Sequence, residues 1–293
     1  VAMLRRITSA LCGLASAGEP WQMEKLYYPV LPFLAERLLK EDVTDHSCMC
    51  RAISEFTNNG SNERREEVLK TGVLPRLVEL LGNADASVQR CALQVIGNIA
   101  GGSADQTQQV IDANILPAMH NLLKHKCYLM RKEACWLISN IAGDTAEKIQ
   151  QLIDVDIFSE MIHILDSDEW NVQKEAAWAV RNATLQGTKT QKLYLAHIGV
   201  LRPLLKLLTT IRECGAYSNK HVMEIVKIIL HCVLNLLDAG VRGFDAPQGE
   251  ISVARLVRRC NGFDEVEQWV CLLSLTPHSI ESIYIKQILI YCS

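Results

Sequence analysis

The chain has 293 residues, 49% apolar, 22% charged and 6% aromatic, and 30 Lys and Arg against 33 Asp and Glu leave a formal charge of −3. Apolar content near half excludes a disordered chain, and the near-neutral balance excludes a general nucleic-acid binder, which carries a basic surplus. The longest apolar candidate for a membrane span, residues 225–237, is interrupted by Lys227, His231 and Asn235 and falls short of the ~20 apolar residues required. Eleven cysteines, several set among apolar neighbours as in Ala134-Cys135-Trp136, suit free thiols in a reducing compartment, cytosol or nucleus. With Val1 first and no leader of charged then apolar residues, the sequence is expected to be part of a soluble protein.

In chain order, one block returns again and again. Pro29-Val-Leu-Pro-Phe-Leu34 is followed by Gly72-Val-Leu-Pro-Arg-Leu-Val-Glu-Leu-Leu81, Asn114-Ile-Leu-Pro-Ala-Met-His-Asn-Leu-Leu123, Asp156-Ile-Phe-Ser-Glu-Met-Ile-His-Ile-Leu165 and Gly199-Val-Leu-Arg-Pro-Leu-Leu-Lys-Leu-Leu208. Start to start, the offsets are 43, 42, 42 and 43. A second block keeps step with it: Val95-Ile-Gly-Asn98, Leu137-Ile-Ser-Asn140 and Ala179-Val-Arg-Asn182. A period in the low forties marks a helical solenoid.

Each unit reads as helices. Leu74, Leu77, Val78 and Leu81 form one apolar stripe at i, i+3, i+4 and i+7, and the proline near its start suits a first helical turn. A longer helix is expected over about 86–100 and a shorter one over 105–113. No stretch alternates like a strand. Because one trio of helices cannot cover its own apolar face, neighbours must stack around a continuous core. The expected units are 1–18 (the last helix of an incomplete repeat), 19–60, 61–102, 103–143, 144–187 and 188–240. A divergent capping repeat follows at 241–293. The phase slips after Thr209, where a polar insert at 212–220 places the counterpart of Asn182 at Asn235, and a loop at 240–249 carries three glycines and a proline.

Glu133, Trp136 and Asn140 share one helix face at i, i+3 and i+7, and Glu175, Trp178 and Asn182 repeat the triplet 42 residues on. Ala134, Leu137, Ile138 and Ile141 lie on the other side and can supply the core. The triplets are therefore expected on the surface, where Glu and Asn need no internal partner. Asn can pair with a peptide N–H and C=O together. Indole faces suit the stem and charge of Lys or Arg, with the cationic head reaching Glu. This pattern predicts a groove for an extended basic peptide.

The motifs Lys132-Glu-Ala-Cys-Trp-Leu-Ile-Ser-Asn140, Lys174-Glu-Ala-Ala-Trp-Ala-Val-Arg-Asn182, Gly97-Asn-Ile-Ala-Gly-Gly102 and Gln106-Thr-Gln-Gln-Val-Ile-Asp-Ala113 resemble the importin alpha (karyopherin alpha) family of nuclear import adaptors. The resemblance implies an all-α armadillo-repeat solenoid with a right-handed superhelical course, in register with repeats four to ten. The family's importin-beta-binding segment and first three repeats would then precede Val1. It implies that Gln94, Asn98, Glu133, Trp136, Ser139, Asn140, Glu175, Trp178 and Asn182 form the family's minor cargo groove for nuclear localisation signals, with Gln94 where Arg is usual. The major groove is represented only by its carboxyl-terminal end, where Ser9, Gly13, Cys48, Arg51 and Glu55 depart from the pattern. The implied partners are cargo proteins with basic nuclear localisation signals, importin beta, and the nuclear export factor that recycles the adaptor. The last of these would contact the Val257–Glu267 region, where Arg258 and Arg259 replace acidic residues. Shuttling between cytoplasm and nucleus follows from such a role.

Catalytic chemistry is not expected. His46, Cys48 and Cys50 have no second pair at zinc-ligand spacing, and no phosphate loop, metalloprotease or nucleophile-elbow motif occurs. No cofactor or metal is implied, nor direct contact with nucleic acid or membrane. The alternative reading is an armadillo scaffold of the adhesion or signalling type. Its groove would be lined with Lys and Arg for acidic partners, against which the Glu-bearing triplets count.

Overall fold

A computed structural model describes residues 6, 9–10, 20–40, 46–58, 61–215, 219–240, 252–273 and 280–292. Gly13 and the glycine-bearing stretch at 241–249 lie outside them. Every regular element among the described residues is an α-helix, and none of these helices is long and apolar enough to cross a membrane. The chain divides into two compact units, Val1–Ile141 and Ala142–Ser293.

The first unit opens with α1 (Pro20–Leu38) and α2 (His46–Thr57). Two helix trios follow, α3 (Asn62–Lys70), α4 (Leu74–Leu80) and α5 (Ala86–Ala100), then α6 (Ala104–Asp112), α7 (Leu116–Leu123) and α8 (Tyr128–Ala142). The expected helix at 86–100 is α5 itself, and the one expected at 105–113 is α6, displaced by one residue. The second unit holds three trios: α9 (Ala146–Asp154), α10 (Ile157–Ser167) and α11 (Trp170–Gln186); α12 (Lys189–His197), α13 (Leu201–Glu213) and α14 (Lys220–Ala239); and α15 (Val253–Arg259), α16 (Gly262–Leu273) and α17 (Ile280–Cys292). Like stacks on like within it: α11 on α14 on α17, α10 on α13 on α16, and α12 on α15. In the first unit α2 packs on α5. Leu74, Leu77 and Leu81 of the apolar stripe are buried, with Val78 half-buried, and full burial of such a side chain stabilises by about 1.5–3 kcal/mol.

The residue that starts each recurring block has a backbone reason. Gly72, Asn114, Asp156 and Gly199 have φ of 72°, 64°, 55° and 98°. Each is a left-handed residue that ends the first helix of its trio and turns the chain into the second. Only Gly, and among other residues chiefly Asn and Asp, take that conformation at low cost. At the corresponding place in the first copy stands Pro29, whose ring fixes φ near −65°. The left-handed turn is closed to it, and α1 runs through Pro29 and Pro32 as one helix. The later prolines behave as expected, at the first positions of α4 and α7.

Trios are tied together by buried glutamines. Gln106 and Gln191 complete capping boxes with Ser103 and Thr188 at the starts of α6 and α12. Each then donates from Nε2 to the first carbonyl of the preceding trio, Gln106 to Asn62 and Gln191 to Ala146, both at 2.8 Å. The polar insert at 212–220 is partly helical: Arg212 and Glu213 extend α13, and Lys220 opens α14. At the end of α13 Arg212 meets Glu265 of α16, which is buried. Its carboxylate accepts from Arg212 Nε and Nη2 at 2.9 and 3.0 Å, from Thr209 Oγ1 at 2.9 Å and from Trp269 Nε1 at 3.0 Å. Four donors satisfy a charge that would otherwise be costly to bury.

A methyl group added at Gly199 meets nothing within 4 Å, so substitution there tests the backbone alone. Gly199→Ala is expected to lower stability by about 1–2 kcal/mol in urea denaturation, with Gly199→Asn losing clearly less. Equal stability of the two variants would refute the left-handed assignment.

Candidate functional site

In the first unit the candidate residues lie on two third helices, α5 with Gln94 and Asn98, and α8 with Glu133, Trp136, Ser139 and Asn140. Ala134, Leu137, Ile138 and Ile141 are fully buried, as the periodicity predicts, and this turns Trp136 to the opposite side of α8. There it is half-buried, not part of the core. Its ring lies across Gly97 of α5: a Cβ at Gly97 would stand 2.3 Å from Cζ3 and 2.8 Å from Cε3 of the indole. Asn140 donates from Nδ2 to the Gly97 carbonyl at 2.9 Å. One glycine therefore receives both the ring and the amide of the next repeat.

The triplet is less exposed than expected. Glu133 is buried, and its Oε1 accepts from Gln94 Nε2 at 3.2 Å. Ser139 is also buried. Asn98 is buried with its amide turned toward α2, donating to the Ser54 carbonyl at 3.1 Å and to Thr57 Oγ1 at 3.0 Å. Both its N–H donors are thus engaged inside the fold. The physical reason is the stacking of α2 on α5, whose helix-end carbonyls need partners more than solvent does.

In the second unit Glu175, Trp178 and Asn182 of α11 are all half-buried, on the side away from Ala176, Ala179, Val180 and Ala183, which form the core. Arg181 places its guanidinium carbon 5.3 Å from the centre of the Trp178 ring, and its Nη1 donates to Asn182 Oδ1 at 3.2 Å. On α14 the counterpart Asn235 donates to Thr184 Oγ1 at 3.4 Å. Four residues before it, His231 stacks on Tyr284 with centroids 5.1 Å apart and planes at 4°. Burial first, and the nearby Arg181 charge second, push the His231 imidazole below its usual pKa.

Two contributors were not singled out in advance. Gly97 stands inside an apolar helix, where a glycine costs about 1 kcal/mol against Ala and so calls for a packing reason. Arg181 stands three residues after Trp178, within reach on one helix face. What the arrangement can do follows from its parts: a half-buried indole with a carboxylate one turn before it and an amide one turn after attracts a cationic side chain.

The Gly97–Trp136 contact reverses an ordinary rule. In a helix interior Gly→Ala normally stabilises by about 1 kcal/mol; here Gly97→Ala is expected to destabilise by about 1–3 kcal/mol through overpacking, with a shift in tryptophan emission. A stabilised Gly97→Ala variant with unchanged emission would show that the ring does not rest there.

Known proteins resemble parts of the chain. The armadillo/beta-catenin-like repeat model matches residues 61–101 and 103–143. Importin subunit alpha-3 of Arabidopsis thaliana is 36% identical over 104 residues, 35% of this chain and 19% of that protein. Importin subunit alpha-B of Dictyostelium discoideum is 37% identical over 102 residues, again 35% of this chain and 19% of the relative. The matched stretch thus spans about a fifth of these relatives' length. Among solved structures, a designed armadillo repeat protein aligns with a TM-score of 0.74 at 25% identity, covering 90% of this chain and all of that one. A second design, in complex with the peptide (KR)4, aligns at 0.73 and 26% identity over 90% of this chain and 99% of the design. The fold is an armadillo solenoid.

Proposed function

We propose that this chain, an importin-alpha-like armadillo-repeat protein, binds basic peptide segments of the nuclear-localisation-signal type through its Glu/Trp/Asn constellations and serves as a nuclear import adaptor. The observation that carries the reading is the Trp136 indole, held half-buried on Gly97 beside Glu133 and Asn140. A core tryptophan looks different: Trp269 is fully buried with its N–H on Glu265. A Lys or Arg stem lies along the indole face, and its charge is stabilised by the ring quadrupole, worth about 0.5–2 kcal/mol. Glu133 adds negative potential beside the Trp136 indole, and Glu175 is its counterpart one turn before Trp178. Asn140 is bonded to Gly97 through Nδ2, and its Oδ1 accepts from a peptide N–H.

Support comes from the importin alpha relatives and from the design in complex with the alternating Lys–Arg peptide. The same reading makes cargo proteins with basic signals the principal partners. Contacts with importin beta and with an export factor follow from the adaptor role, as does shuttling between cytoplasm and nucleus. The acidic character of the constellations favours this over a scaffold for acidic partners.

Fluorescence anisotropy with a labelled alternating Lys–Arg octapeptide tests the reading. Trp136→Ala is expected to weaken binding about tenfold, the equivalent of one cation–indole contact and its ordering. Affinity should fall with added salt, and an acidic peptide should fail to compete. Equal affinity of wild type and Trp136→Ala, or displacement by the acidic peptide, would reject it.

A further inference from the structure

The two constellations are copies 42 residues apart, Glu133 with Glu175, Trp136 with Trp178 and Asn140 with Asn182. The segments that carry them, Lys132–Asn140 and Lys174–Asn182, differ at four positions, and one of the four changes charge. Where the first has Ser139, buried, the second has Arg181, half-buried. This side chain does not leave for solvent. Its guanidinium carbon stands 5.3 Å from the Trp178 ring centre, within the ~6 Å of a cation–π contact, and Nη1 reaches Asn182 Oδ1 at 3.2 Å. The two groups that would receive a ligand's cation and a ligand's N–H are thus both engaged by a cation of the same helix. The Arg181 charge is also felt at His231 on α14, where it adds to burial in lowering the imidazole pKa.

We infer that Arg181 is a built-in competitor that closes the Trp178 constellation to Lys and Arg side chains, leaving Trp136 as the selective cation receptor of the chain. The inference rests on the basic-peptide reading above and refines it. Three consequences follow from the chemistry. A cation arriving at Trp178 must displace an intramolecular partner, whose effective concentration far exceeds that of a free peptide. It must also approach a fixed positive charge, which opposes it. Removing that charge while keeping the indole converts the second constellation into a likeness of the first, since serine is what the first one has.

A double-mutant cycle on the whole chain reads this directly, with the labelled Lys–Arg octapeptide as probe and circular dichroism to confirm helical content. Arg181→Ser is expected to tighten binding about tenfold, the equivalent of one recovered cation–indole contact. Arg181→Gln, which keeps most of the stem and loses the charge, should give a similar gain and guards against a folding defect in the serine variant. Trp178→Ala should change wild-type affinity less than about twofold, yet abolish the gain when added to Arg181→Ser. If both Arg181 variants bind as wild type or more weakly while Trp136→Ala still loses affinity, the competitor role is overturned and the basic-peptide reading stands. If Trp136→Ala binds as wild type, that reading fails and this one with it.

Discussion

The amide of a rung asparagine reaching back to the preceding repeat is the contact on which the rest is arranged. Asn140 takes the carbonyl of Gly97, Asn98 takes the carbonyl of Ser54 and the hydroxyl of Thr57, and Asn235 takes the hydroxyl of Thr184. Each bond spans about one repeat and joins two neighbouring helices. It meets a demand that apolar packing creates: helices drawn together by their Leu, Ile and Ala faces bring backbone carbonyls out of water, and these need donors. Because the amide is fixed, the residue four before it, one turn away on the same helix, has its height and direction fixed too. At Asn140 that residue is Trp136, at Asn235 His231 and at Asn98 Gln94.

Stability and function therefore share residues. Asn98 spends both donors inside the fold, whereas Trp136 is placed by the row and remains half-buried. Gly97 links the two roles, since its missing side chain admits the indole and its carbonyl holds the amide. The second unit repeats the triplet with one change of charge beside it. Arg181 sets a cation against Trp178 and Asn182, so two constellations of nearly the same composition differ in what they attract. Farther along, Glu265 collects Arg212, Thr209 and Trp269 and holds α16 to α13.

Much of this was legible in the residues. The spacing of 42 and 43 gave the stacked trios, the stripe from Leu74 gave α4 with its proline at the start, and α5 fell where its periodicity placed it. The core side of α8 followed from Ala134, Leu137, Ile138 and Ile141, and with it the outward side of Trp136. What periodicity could not supply was depth. Glu133 and Asn98 sit on the predicted side of their helices yet are buried, because neighbouring helices rise around that side and Gln94, Ser54 and Thr57 satisfy them. The recurrence of Gly, Asn and Asp at 72, 114, 156 and 199 was visible as a repeat mark, while its cause, a left-handed backbone, needed φ values. Arg181 was in plain sight as a charge where the preceding block has Ser139; its contact with Trp178 depends on a rotamer, which spacing alone does not specify.

The claim at the centre is that the Trp136 indole, resting on Gly97, is the surface that meets a basic side chain. The most direct measurement is the set of indole N–H resonances of the chain, with Trp136 assigned through Trp136→Phe, followed while the Lys–Arg octapeptide is added. The account predicts a saturable shift of the Trp136 resonance, with the fully buried Trp269 unmoved. Saturable peptide binding that leaves the Trp136 resonance in place would contradict it.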